Sequence, residues 1–112
     1  MNLSLGKRQE LFSKYLADLI QYAISKGYGV RIGEVERTTD QQALYYKSGR
    51  SKTMNSLHLE KCAADLHFTL NGVICYPQEL GSYWESLDVN CSWGGNWKSF
   101  KDQPHFELRK GK

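Results

Sequence analysis

Residues 63–76 read AADLHFTLNGVICY, a pattern that commits the middle of the chain to a β-hairpin. Leu66, Phe68 and Leu70 fall on one side of a period-two alternation, with Asp65, His67 and Thr69 on the other. Asn71-Gly72 then supplies a dipeptide suited to a tight two-residue turn, after which Val73 to Tyr76 should return antiparallel. The segment before it has a different period. Between residues 5 and 26, Leu11, Phe12, Tyr15, Leu16, Leu19, Ile20, Ala23 and Ile24 recur every three or four positions and line one helical face, which Gly27 ends. That stripe reads as core and carries no chemistry. Tyr28, Val30 and Ile32 alternate as a strand should, and Gly33 either bends it or marks a bulge. Thr38 or Thr39 caps a short second helix over DQQALYYKSG, stopped by Gly49, and a polar loop fills 50–57. Pro77 opens a third helix bearing Leu80, Tyr83, Trp84 and Leu87, and HFELR closes the chain as a strand. The expected fold is α+β, a small, mainly antiparallel sheet packed with about three helices.

A chain of 112 residues has the usual size of one domain, so a single domain over 1–112 is expected. Its 40% hydrophobic content, with seven Tyr, four Phe and three Trp, supplies a packed interior and excludes a disordered chain. The net charge of +3 is slight and its basic residues are dispersed without a recognised motif, which argues against a nucleic-acid partner. Three cysteines, Cys62, Cys75 and Cys91, cannot all pair within the chain and show no CxxC spacing, so they read as reduced thiols. Charges interrupt every apolar run of MNLSLGKRQELFSKYLADLI, leaving neither a signal-peptide core nor a membrane span there. A monomer without stable membrane insertion, cytoplasmic in the producing cell, is expected.

The stretch SLHLEKCAADLHF sets His58 seven positions before Asp65. A continuous strand would point them to opposite faces and hold them about 23 Å apart. A shared site therefore requires a bend within residues 59–63. His105, three residues after Asp102, is a second histidine with a carboxylate beside it. Zinc favours imidazole nitrogen and carboxylate oxygen, and catalytic sites take three protein ligands with a fourth position left for water. His58, Asp65 and His105 would meet that requirement, leaving Asp102 as a spare carboxylate able to accept a proton from metal-bound water. On spacing alone, these residues also fit surface caps and hydrogen-bonded core groups. Pro104 limits Gln103 to extended geometry and so helps present Asp102 relative to His105.

With those residues in view, the stretch from Ser56 resembles the Ser-x-His-x(6)-Asp motif of the zinc peptidoglycan peptidases of the D-alanyl-D-alanine carboxypeptidase superfamily. WGGNWKSFKDQPHFE, residues 93–107, is similar to the closing motif of the L-alanyl-D-glutamate endopeptidase branch, to which phage endolysins and bacterial wall hydrolases belong. RTTDQQALYYKSGRSKT, residues 37–53, resembles that family's Arg-Thr-x-x-x-Gln, Leu-Tyr and Gly-Arg segment, so the resemblance covers most of the chain from residue 37 on.

Carried over by position, the resemblance implies the zinc peptidase fold shared with the hedgehog domain, with Zn2+ held by His58, Asp65 and His105 and Asp102 as general base. Arg37 matches an arginine near the substrate, where a guanidinium would hold a carboxylate or stabilise an oxyanion; a structural salt bridge is the alternative. Ser56 matches the motif serine and either bonds substrate or, the favoured reading, braces its loop. Gln42 also falls on the pattern. Trp93 and Trp97 flank Gly94-Gly95 as a substrate platform, with core packing the alternative for at least one. His67 offers a fourth ligand or an ordinary hydrogen-bonded histidine, and Cys62 is a less favoured replacement ligand. One departure stands out: where the family usually has glycine four residues before the aspartate, this chain has Lys61, which strains that turn or requires a changed one.

The implied function is hydrolysis of peptidoglycan stem peptides at the L-Ala–D-Glu bond, by a phage or prophage endolysin acting on the cell wall after release. Alternatives are a D-Ala-D-Ala carboxypeptidase and a non-catalytic, zinc-containing wall-binding domain. The retained Asp102 argues against the last.

Overall fold

A computed structural model describes residues 3–36, 38–49 and 57–111. Helix α1 (Leu5–Ser25) begins where the Ser4 hydroxyl accepts the Lys7 amide at 3.2 Å, satisfying one of the orphan donors of the first turn. Its stripe buries Phe12, Leu19 and Ala23, while Ile24, at the margin of the last turn, stays exposed. Arg8 is also buried and pairs with Glu60, tying the start of α1 to the turn that carries His58. Helix α2 (Thr39–Lys47) has a reciprocal cap: the Thr38 hydroxyl takes the Gln41 amide at 3.1 Å, and the Gln41 side chain takes the Thr38 amide at 3.3 Å. Helix α3 (Gln78–Leu87) follows Pro77 at its cap and buries Leu80 and Trp84.

Among the described residues, five antiparallel strands form the sheet: β1 (Gly29–Ile32), β2 (Ala63–Leu70), β3 (Val73–Cys75), β4 (Cys91–Trp93) and β5 (His105–Leu108). Their order is β1-β2-β5-β4, with β3 also pairing β2. The α+β expectation of three helices and a small antiparallel sheet holds among the described residues. Asn71 and Gly72, at φ of 53° and 79°, make the expected hairpin turn. Strand β4 was not foreseen, because three residues are too few to display a period.

A bulge follows β1. The Gly33 amide donates to the Asp65 carbonyl at 2.7 Å while the Asp65 amide donates to the Glu34 carbonyl at 2.8 Å, so two residues face one. The extra residue shifts the alternation beyond it by one, so that Val35 packs inward; Ile32, expected in the core, precedes the bulge and pairs with the buried Leu66, but at the end of the edge strand β1 it is 60% exposed. Phe12, Trp84, Phe68, Phe106 and Trp93 lie at the centre of one apolar cluster between the helices and the sheet, with Trp84 and Phe106 meeting edge to face at 5.9 Å. Burying this aromatic surface is the main favourable term holding the sheet against α1 and α3.

Candidate metal centre

The bend demanded between His58 and Asp65 is a single 3-10 turn, Leu57–Glu60, closed by two bonds: Cys62 amide to Leu57 carbonyl at 3.1 Å and Lys61 amide to His58 carbonyl at 3.3 Å. That is a Schellman closure, whose penultimate residue adopts the left-handed conformation and is usually glycine. Lys61 occupies it at φ 58°, so the turn is retained and the lysine carries its strain. Strand β2 then delivers Asp65, and β5 pairs it directly with His105.

Three ligand atoms converge. His58 Nε2 and His105 Nδ1 are 3.2 Å apart, and Asp65 Oδ1 lies 3.4 Å from the first and 3.7 Å from the second. The outer ring nitrogens face acceptors. His58 Nδ1 meets the Val35 carbonyl at 3.0 Å, and His105 Nε2 meets Glu107 Oε1 at 2.6 Å. A carbonyl and a carboxylate have no proton to give, so the outer nitrogens carry the hydrogens and the inner ones present lone pairs to each other. Asp65 Oδ1 is enclosed without a hydrogen-bond partner. Two opposed lone pairs and an orphaned carboxylate oxygen are unfavourable unless a cation or proton sits between them. A tetrahedron with bonds of 2.0–2.1 Å has edges of about 3.3 Å, so the three separations fit one divalent metal with a position left open.

Electrostatics agree. Burial opposes charge on His105, yet Asp65 and Glu107 prevail and push the imidazole up to about 9. Burial alone would raise Asp65, but His105 and His58 hold its carboxyl well below the usual range. Glu107 is likewise lowered, by His105 and Arg109 against the cost of burial.

Asp102 sits beside this cluster, its Oδ2 3.9 Å from His105 Nδ1 and its side chain 37% exposed. Gly94 places it there. The Asp102 amide bonds the Gly94 carbonyl at 2.9 Å, and a side chain at Gly94 would come within 2.1 Å of the Asp102 carbonyl oxygen. Trp93, expected on the substrate platform, is only 3% exposed: its indole donates to the Gln103 carbonyl at 2.7 Å and stacks on Phe106. Gly81 and Gly95 approach too closely for a side chain at either. The core-packing alternative describes it, and Trp97 is the tryptophan at the site, tilted against His105 at 5.1 Å. Gln42 is fully enclosed on α2. Cys62 Sγ turns to the Glu60 carbonyl, and His67 bonds the Tyr76 hydroxyl at 2.7 Å, so the described metal cluster includes neither. Arg37 and Ser56 lie outside the described residues. Glu107 had received no role, although its place two residues beyond His105 on the same strand was the available signal.

Two imidazoles and a carboxylate converging beside a second, solvent-accessible carboxylate define a candidate metal-dependent hydrolase centre. The chain belongs to the peptidase family whose model is described as D-alanyl-D-alanine carboxypeptidase, which matches residues 49–108. It is 33% identical over 95 residues to the L-alanyl-D-glutamate peptidase of Listeria phage A118, covering 80% of this chain and 34% of that protein. It is 32% identical over 107 residues to the peptidoglycan L-alanyl-D-glutamate endopeptidase CwlK of Bacillus subtilis, covering 77% of this chain and 64% of CwlK. The chain thus spans about a third of the first relative and just under two thirds of the second. Among solved structures, the Serratia marcescens L-Ala D-Glu endopeptidase ChiX superposes with a TM-score of 0.64 at 26% identity, over 84% of this chain and 77% of ChiX. No helix among the described residues is long and apolar enough to cross a membrane.

Proposed function

We propose that this chain is a single-domain zinc peptidase that hydrolyses the L-Ala–D-Glu bond of peptidoglycan stem peptides. The observation that carries the reading is the convergence of His58 Nε2, Asp65 Oδ1 and His105 Nδ1 beside Asp102. The names of the phage, Bacillus and Serratia relatives support the choice of bond. His58, Asp65 and His105 would hold the ion, which supplies Lewis acidity and acidifies water. Asp102 takes the proton of the attacking water and returns it to the leaving amine, a role that suits a carboxylate with one face open to solvent. Arg37 pairs with a substrate carboxylate or the developing oxyanion, while Ser56 and the enclosed Gln42 brace the surrounding loops. The protein acts as a monomeric endolysin on the wall after release from the producing cell.

Cleavage of a terminal D-Ala is the second reading, favoured by the description of the matching family model. Digestion of purified muropeptides, read by mass spectrometry with and without chelator, tests both. Endopeptidase action releases a stem peptide beginning at D-Glu, whereas carboxypeptidase action releases free D-Ala. Intact muropeptides after digestion with zinc-loaded protein would sink the proposal.

A further inference from the structure

His105 can offer a metal either ring nitrogen, and a half-turn of the imidazole puts a carbon where each nitrogen stood. Which one faces inward depends on what holds the proton of the other. Here Nε2 lies 2.6 Å from Glu107 Oε1. Glu107 is 7% exposed, and its second oxygen accepts from Arg109 Nε, so the carboxylate is gripped at both oxygens. The remaining side of the imidazole is walled. Trp97 packs against it, the Arg109 guanidinium lies 5.8 Å over the Trp97 ring, and the indole donates to the Ser92 hydroxyl at 2.9 Å. His105, Glu107, Arg109 and Trp97 thus form a closed circuit of contacts around one proposed ligand.

We propose that Glu107, gripped by Arg109 and walled by Trp97, is a positioning residue that fixes His105 with Nδ1 toward the metal. The inference rests on the metal-centre reading above. It separates from a plain structural ion pair, because a structural pair affects only stability. A positioning carboxylate also sets the tautomer and the basicity of the ligand it holds, so metal affinity moves with it. Glutamine at 107 keeps the shape, loses the charge, and can present its amide N–H to the imidazole, which favours the wrong tautomer.

The test uses the full chain loaded with zinc, comparing wild type, Glu107→Gln and Arg109→Ala. Affinity is measured by competition with a chromophoric chelator at one pH, and tautomers by long-range 1H–15N spectra of labelled histidine. Thermal unfolding of the metal-free proteins reports the fold. Wild type should show His58 carrying its hydrogen on Nδ1 and His105 carrying its hydrogen on Nε2. Glu107→Gln should bind zinc about 10- to 100-fold more weakly and lose the His105 Nε2–H signal, with Arg109→Ala weakened by a smaller factor. Wild-type affinity in Glu107→Gln with that signal intact overturns the inference. Should Glu107→Gln fail to fold, Arg109→Ala decides, and unchanged affinity there overturns it equally. Failure of the wild type to bind zinc is a different result, which removes the metal-centre reading itself.

Discussion

Replacing Lys61 with glycine isolates the strain in the turn between two proposed ligands. At φ 58° the lysine side chain crowds its own backbone, which costs roughly 1–2 kcal/mol. Glycine removes that cost but adds freedom to the unfolded chain, offsetting about 0.5–1 kcal/mol. The ion pair from Lys61 Nζ to Glu36, at 3.9 Å with both side chains more than half exposed, contributes a few tenths of a kcal/mol at most, so roughly 0.2–1 kcal/mol of net stabilisation remains. For 112 residues the unfolding entropy is about 0.24 kcal/mol/K, which converts that gain to about 1–4 °C in Tm. Lys61→Ala is the control, since it loses the ion pair yet keeps the Cβ and the strain. Thermal unfolding with chelator present keeps metal binding out of the comparison. The expected order is Lys61→Gly above wild type, and wild type level with or slightly above Lys61→Ala. If glycine proves no more stable than alanine, the left-handed strain assigned to Lys61 is wrong.

Asp102→Ala should retain one equivalent of metal by elemental analysis while turnover of a muropeptide falls about 10²- to 10⁴-fold. His105→Ala should lose the metal itself, and treating wild type with chelator should abolish turnover until zinc is restored. Because His105 is pushed up to about 9, metal binding at neutral pH displaces a proton, so apparent zinc affinity should rise about tenfold per pH unit from 6 to 8; a flat profile in chelator competition would contradict this. The same raised value stabilises the metal-free fold fully below the unfolded pKa of about 6.5, and that contribution should fade as pH climbs through 9, visible as a falling Tm. Burial pushes the Cys91 thiol up to about 12, so it should resist alkylation in the folded protein and react only after unfolding.

Much of the architecture was legible because local chemistry and burial agree where the elements are long. The α1 stripe, the Thr38 cap and the Asn71-Gly72 turn each solve a local problem that residue identity reveals. What escaped depended on parity or on main-chain atoms. Val35 went unread as an inward residue because the extra residue of the bulge reverses the alternation that runs from Tyr28 to Ile32. Trp93 was considered for substrate because an aromatic beside paired glycines suits a platform, but those glycines serve close packing around and beside it. At the metal centre, the side-chain donors were visible in the sequence, whereas the Val35 carbonyl behind His58 was not, since any residue supplies a carbonyl. Lys61 was the opposite case: its mismatch with the expected glycine pointed directly to a left-handed position.

The bulge beside β1 gives the two histidines unequal exposure to mutation. Behind His105 stands a carboxylate that one base change could remove, but behind His58 stands a peptide oxygen present whatever residue occupies position 35. Only a change in chain length, or a side chain forced in at Gly33, where a Cβ would sit 3.2 Å from the Asp65 carbonyl oxygen, could dislodge that support. Sequence drift can therefore retune one half of the centre by substitution, while the other half is guarded by the spacing of the backbone.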